Sequence, residues 1–396
     1  MYNGITEAIK IKKKIQIFFQ RNDCLLWLVT VIATIFSVVL ITSLQRAGDY
    51  NYLISQIGAI GIGFIAAILI SFIDYNIFIK FWWIFAIIAF ILAAAVFAFG
   101  IQVAGTDDTA WIRLPGGFTV QPSEFIKICF IFTFTKHLSY LKEKDYLSKF
   151  FAIMTLFLHA LIPIAIIHMQ GDDGTVLIFA MIFLVMTFAA GVPVKYFTTL
   201  GIILIVSIPI MWTFILNNEH RNRILALFDL DGNALTNYGW QQYQGKVSIA
   251  SGELSGSGIF NGQRVEYGIV PEQQNDFIFT VAGEELGFIG CISILAILFV
   301  IIIRIALKGN KVSDYKGKYI CYGIFALIAS QTMINIGMVL GFIPVVGITL
   351  PFFSAGGSSV LSMLLCIGII QSVVRHNQYE PEKIKVKIGS KDRIKI

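Results

Sequence analysis

The sequence predicts an all-α integral membrane protein of ten transmembrane helices, with both termini cytoplasmic and one large extracytoplasmic loop. Three observations lead there. Hydrophobic residues make up 57% of the 396 and charged residues only 14%, a balance foreign to soluble domains of this length. Uncharged runs such as WWIFAIIAFILAAAVFAFG (82–100) approach the roughly 20 residues a spanning helix needs. Lysine and arginine are also divided unevenly between alternate loops.

In chain order the expected spans lie near 25–44, 52–73, 80–100, 122–138, 150–169, 174–190, 194–215, 277–304, 319–343 and 349–374. The fourth is short and carries Glu124 and Lys127, which makes it the weakest by hydropathy. Pro163 should kink the fifth unless neighbours satisfy the freed carbonyl. Apart from Arg46, Arg113, Arg221, Arg223, Lys246 and Arg264 in the opposite loops, and Lys127 within a span, all 30 basic residues fall on the side of the termini. The positive-inside rule therefore puts both termini in the cytoplasm.

The connection 216–276 then faces outward. Its length exceeds ordinary loops, which marks it as functional or disordered. Trp240, Tyr243, Ile249, Phe260 and Val270 argue against disorder. The chain divides into a basic N-terminal segment (1–23), a polytopic membrane domain (24–376) and a basic tail (377–396). Lys10, Lys12, Lys13 and Lys14 precede a hydrophobic run with no small-residue cleavage site after it, so no cleavable signal is expected. Ile5, Ile9, Ile15 and Phe19 suit a helix lying on acidic lipid headgroups. Lys383, Lys385 and Lys387 suit a solvated tail attracted to the same lipids. Membrane lipids are thus expected partners, and nucleic acid is not. Cys24, Cys129, Cys291, Cys321 and Cys366 form no CxxC pair, and no histidine stands at ligand spacing, so neither structural zinc nor a disulfide framework is expected.

Five polar stretches interrupt the apolar pattern. In WIRLPGGFTVQPSEFIKI (111–128), Pro122 and Ser123 read as a helix start, with Glu124 favoured by the positive end of the dipole. Glu124 and Lys127 are three apart and can pair. This is either a capped helix with one ion pair or a lysine waiting for an anionic substrate. In QGDDGTVLIF (170–179), Asp172 and Asp173 read as a turn capping the next helix. One aspartate suffices for that, leaving the other for an ion or a basic residue. Arg221 and Arg223, in EHRNRILALFDLDG (219–232), are either solvated or aimed at phosphate oxygens. PEQQNDFIFTVAGEELGFIG (271–290) carries Asp276, Glu284 and Glu285. A helix beginning near Asn275 would put Asp276, Thr280 and Glu284 on one face, with Glu285 able to meet Lys127. Asp276 beside apolar walls suits a general base, although Asn275 or Asp276 can equally be a cap. GITLPFFSAGGSSVL (347–361), with Ser354, Gly356, Gly357 and Ser358, is either a close-packing element or backbone that approaches a ligand.

Together these stretches resemble the SEDS family (shape, elongation, division and sporulation), the RodA/FtsW proteins. WIRLPGGFTVQPSEFIKI is similar to the family's RWI…QPSE-x-x-K. QGDDGT is similar to QPDLGT, and RNRILALFD followed by GWQQYQGKVSIASGELSGSG to its R-x-R…GYQ-x-x-Q-x-K segment. PEQQNDFIF…EELG is similar to PE-x-H-TDFIF…EELG, and LPFFSAGGSS to LP-x-x-SYGGSS. The order matches from about residue 20 to 376.

The resemblance implies a glycosyltransferase that polymerises lipid II into peptidoglycan strands, with Asp276 as general base, inversion at the anomeric carbon and undecaprenyl pyrophosphate leaving. It implies that Lys127, Arg221, Arg223 and Lys246 neutralise pyrophosphate, with Glu124, Asp172 and Glu284 and the 354–358 turn nearby. A divalent cation, Mg or Mn, can share that task. A class B penicillin-binding transpeptidase is the implied protein partner. The chain departs from the pattern at Ala110, Gly171, Asp173, Gln274, Asn275, Glu253 and Ser257. The short N-terminal segment favours the elongation type over the division type. A lipid II flippase using the intramembrane charges, and a non-enzymatic scaffold for a transpeptidase, are the competing expectations.

Overall fold

A computed structural model describes residues 21–45, 51–102, 109–114, 119–216, 218–228 and 239–377. The N-terminal lysines, the Ile5–Phe19 stretch and the tail lysines lie outside these residues. Among those described, nine helices are long and apolar enough to cross a membrane, so the chain is a multi-pass membrane protein. In order, the elements are α1 (Cys24–Leu44), α2 (Asn51–Phe72), a short α3 (Tyr75–Lys80), α4 (Trp82–Phe99), α5 (Ser123–Glu143), α6 (Phe150–Met169), α7 (Asp173–Ala190) and α8 (Val194–Ile210). A π turn, Met211–Ile215, continues α8. Then come α9 (Asn218–Leu225), α10 (Trp240–Ser251), α11 (Gln263–Glu266), α12 (Ile278–Lys311), α13 (Tyr315–Val339) and α14 (Gly357–Asn377).

The span expected at 122–138 forms as α5, but its charges keep it outside the nine; most of its side chains are nevertheless buried in the bundle. Pro163 is accommodated without ending α6. The last span begins at Gly357, not near 349. Residues 340–356 are irregular, because Pro344 and Pro351 lack amide hydrogens and Gly341 and Gly347 take φ of 80° and 68°. The all-α expectation omitted one small antiparallel sheet, β1 (Gly100–Ile101), β2 (Trp111–Arg113) and β3 (Thr119–Val120), in the order β1-β2-β3. Strands of two or three residues are too short to leave an alternation in sequence.

Burial ranks the helices from centre to rim. In the most apolar window of α14, 83% is buried, and in that of α13, 61%, against 11% for α4 and none for α8. α2 lies tightly on α14: a Cβ at Gly368 would come within 2.6 Å of Ala67, and one at Gly63 within 2.5 Å of Leu364. Small residues permit such close approach in lipid, where apolar burial alone drives no association.

The start of α1 and the C-terminal half of α14 meet at one end of the bundle. Asp23 caps α1 through Leu26 N and receives both Arg304 Nε and Nη2, at 2.9 and 3.0 Å, with Lys308 Nζ at 3.3 Å. Gln371 of α14 bonds the amide and the carbonyl of the same residue. Burial pushes the Asp23 carboxyl up, but Arg304, the Leu26 amide and Lys308 together hold it below the usual carboxylate range.

At the opposite end, α12 is broken and spliced. Gly287 takes φ 64°, ψ −156°, which frees hydrogen-bonding groups on either side. Ser257 N and Gly258 N donate to the carbonyls of Glu284 and Glu285, while Phe288 N and Ile289 N donate to those of Glu253 and Leu254. The segment following α10 thus serves as the missing turn of α12. Glycine is required at the crossing: a Cβ at Gly252 would sit 1.9 Å from Gly283 O, and one at Gly256 2.2 Å from Glu285 O.

Candidate active site

Asp276 lies two residues ahead of α12, in a turn over Pro271–Phe277, not on the helix. The expected common face with Thr280 and Glu284 is therefore absent. Thr280 Oγ1 instead donates to Phe277 O. The turn is fastened to α13 and to the region between α13 and α14 by Ala355 N on Gln274 O, Ser354 Oγ on Asn275 O and Asn335 Nδ2 on Asp276 O. A Cβ at Gly347 would lie 3.6 Å from Asp276 Oδ2. Gly347, in the irregular segment 340–356, is therefore part of the wall beside the carboxylate.

The same wall gathers two of the expected cations. Lys246, exposed on α10, has its Nζ only 3.2 Å from where a Cβ at Gly341 would stand. Arg223 Nη1, on α9, lies 3.4 Å from Val345 O. Arg221 turns elsewhere, with Nη2 on Thr213 O at 2.9 Å. This end of the bundle offers one carboxylate and two cations along a single stretch of backbone, a set suited to removing a proton and receiving an anionic leaving group.

The remaining expected residues form a second, buried group. Lys127 Nζ pairs with Glu124 Oε1 at 2.9 Å, both side chains essentially inaccessible. Ser362 Oγ donates to Glu124 Oε2 at 2.8 Å, and Gln331 Nε2 lies 3.4 Å from Oε1. The ion pair expected within QPSEFIK is thus present. Asp172 caps α7 through Thr175 N and also receives Gln121 Nε2 and Ser123 Oγ. Just ahead of that span, burial pushes its carboxyl up against these hydrogen bonds. Gln121 N in turn donates to Ser358 Oγ, which joins three of the sequence motifs. Gly356 N donates to Gln56 Oε1, and a Cβ at Gly357 would stand 3.2 Å from Ser55 Oγ, so this turn rests against α2.

Two further expectations are corrected. Glu284, eight residues along from Asp276, accepts from Arg264 N at 2.7 Å, so it meets the outer segment and not the Asp276 turn. Glu285 meets Ser43 Oγ, not Lys127, because Lys127 is already satisfied by Glu124. The spare aspartate of QGDDGT, Asp173, has His168 Nδ1 at 2.5 Å and His220 Nε2 at 3.3 Å. Sequence reading missed Gln121, Ser362, Gln331 and Asn335. The last two stand one helical turn apart inside an apolar run, a signal of intramembrane polarity that was there to be used. Among the described residues no group of three or more His, Cys, Asp or Glu side chains is arranged to hold a metal ion.

Known proteins share this architecture. A family model described as cell cycle protein, FTSW_RODA_SPOVE, matches residues 21–379. The chain is 33% identical over 376 residues to stage V sporulation protein E of Bacillus subtilis, covering 90% of this chain and 98% of that one. It is 31% identical over 362 residues to probable peptidoglycan glycosyltransferase FtsW of Geobacter metallireducens, covering 89% and 95%. A structure described as "Structural coordination of polymerization and crosslinking by a peptidoglycan synthase complex" superposes with a TM-score of 0.76 at 22% identity, over 91% of this chain and 99% of that one, which shows a common fold. Fold and site thus define a polytopic membrane enzyme with Asp276, Arg223 and Lys246 at the end opposite the Asp23–Gln371 contact. The chain belongs to the FtsW/RodA/SpoVE family, the SEDS proteins.

Proposed function

We propose that this chain is a peptidoglycan glycosyltransferase that polymerises lipid II on the outer face of the cytoplasmic membrane. Family membership and full-length similarity to proteins carrying that name support it. In this reading the Asp276 carboxylate takes the proton from the 4-hydroxyl of the N-acetylglucosamine on one lipid-linked disaccharide. The oxygen attacks the anomeric carbon of N-acetylmuramic acid on the other. The bond from that carbon to the pyrophosphate oxygen breaks, the configuration inverts, and undecaprenyl pyrophosphate departs. Lys246 and Arg223 stabilise the charge that develops on the leaving diphosphate.

The observation that carries the reading is the fastening of the Asp276 turn to the 340–356 wall, the stretch that also meets Lys246 and Arg223. A base whose turn is held by three hydrogen bonds needs little reorganisation when the proton moves. The outward placement is supported by the basic residues clustered at the other end. A count of ten spans is supported by the meeting of Asp23 and Gln371 at one end, which requires an even number of crossings, α5 being the tenth. A class B penicillin-binding transpeptidase is the proposed partner, and rod elongation the proposed process. Complementation of elongation-defective against division-defective cells tests the latter.

The decisive experiment incubates the purified chain, with and without a transpeptidase partner, with labelled lipid II. Asp276→Asn is expected to abolish strand formation while the protein remains folded. Strands formed by Asp276→Asn at the native rate would overturn the assignment. Lipid movement between leaflets that survives the substitution, with no polymer formed by the native chain, would favour a flippase.

A further inference from the structure

Three consecutive carbonyls ahead of α12 each accept a hydrogen bond: Gln274 O from Ala355 N at 2.8 Å, Asn275 O from Ser354 Oγ at 2.5 Å, and Asp276 O from Asn335 Nδ2 at 2.8 Å. Of the three donors only Asn335 belongs to a membrane helix, α13. Its amide also donates to Ile348 O at 2.6 Å. The side chain is wholly buried and its own Oδ1 has no hydrogen-bond partner. A buried acceptor left in that state costs stability. An apolar residue at 335 would avoid the cost only by taking donors away from two carbonyls.

The two carbonyls it joins matter for the reaction. Ile348 follows Gly347, whose Cβ position is 3.6 Å from Asp276 Oδ2. One side chain thus ties residue 276 itself to the wall beside its carboxylate, while Ser354 and Ala355 hold the two residues before it. We propose that Asn335 is a positioning residue: by bridging the carbonyls of residues 276 and 348, it holds the Asp276 carboxylate in the orientation from which it accepts the substrate proton. This rests on the reading of Asp276 as general base. Asn335 touches no substrate in this scheme and acts through the backbone alone.

Displacing a base by even about 1 Å lowers turnover on the order of 100-fold without weakening substrate binding elsewhere. The test compares the full chain with Asn335→Ala, Asp276→Asn and Gln371→Ala in lipid II polymerisation, reading kcat and KM separately beside thermal unfolding in detergent. Gln371 is an apt control, a buried amide with two hydrogen bonds at the opposite end of the bundle. Asn335→Ala is expected to lower kcat by about 10- to 100-fold with KM changed less than about twofold. Gln371→Ala is expected to lose similar thermal stability with kcat nearly native. The proposal is overturned if Asn335→Ala keeps native kcat while Asp276→Asn is inactive, if its loss lies in KM, or if Gln371→Ala reproduces the kcat loss. Polymer formed by Asp276→Asn would instead remove the reading of the base itself. Should Asn335→Ala fail to fold, Asn335→Ser, which retains one donor, is read by the same criteria.

Discussion

Lys127 shows how burial sorts one reading of a residue from another. A lysine and a glutamate three positions apart are legible in the sequence, but only the bundle reveals that both are sealed from solvent and that Ser362 and Gln331 complete the pair. Removing one partner of such a pair leaves an uncompensated charge, at a cost of roughly 3–5 kcal/mol, whereas replacing both by apolar residues of like volume is close to neutral. Lys127→Met is therefore expected to unfold at markedly lower temperature than the native chain. Lys127→Met combined with Glu124→Leu should recover most of the loss. If the double variant is stable yet polymerises no lipid II, Lys127 has a role at the substrate beyond its ion pair. If Lys127→Met alone is as stable as the native chain, the pair does not hold the bundle together.

The splice in α12 belongs to the scale of elements. A helix that stops being helical at Gly287 and resumes would ordinarily expose its free carbonyls and amides, which lipid cannot satisfy. Here the loop after α10 supplies four matching backbone groups. This explains why glycines crowd 252–258 and 283–287, and why Glu253, with φ 47°, is tolerated: its carbonyl is one of the four partners. Gly287→Ala should be costly on two counts. A non-glycine residue at that backbone conformation costs about 1–3 kcal/mol, and its Cβ would stand 2.5 Å from Gly256 N. The expected result is a lower unfolding temperature and faster proteolysis within 252–268. Native resistance to protease would show that the two segments separate freely. The glycines were visible in the sequence, but their pairing was not, because carbonyl-to-amide matching between distant segments leaves no periodic trace.

For the whole molecule the testable matter is orientation. With the basic residues clustered at the Asp23–Arg304 end, cysteines placed at exposed positions 257 and 267 should react with membrane-impermeant reagents from outside intact cells. A cysteine at position 311 should react only after permeabilisation. The reverse pattern would turn the site inward and remove access to a substrate on the outer leaflet. The same scale explains why α5 eluded simple hydropathy. Surrounded by other helices instead of lipid, it can carry Glu124 and Lys127, since its neighbours supply the partners that a lipid-facing helix would lack.

Hydropathy and charge placement by themselves determined a polytopic bundle, most span positions and the acidic, basic and glycine-rich stretches at its rim, because each span must satisfy the bilayer locally. Tertiary structure alone decided which of those polar residues share a site. It set Lys246 and Arg223 along the wall that faces Asp276, confined Lys127 and Glu124 to the interior, sent Glu285 to Ser43, and gave Asn335 its two carbonyls. The physical reason is that a buried polar group is stable only beside a partner, and partners more than 50 residues away are chosen by how helices pack, which no local pattern encodes.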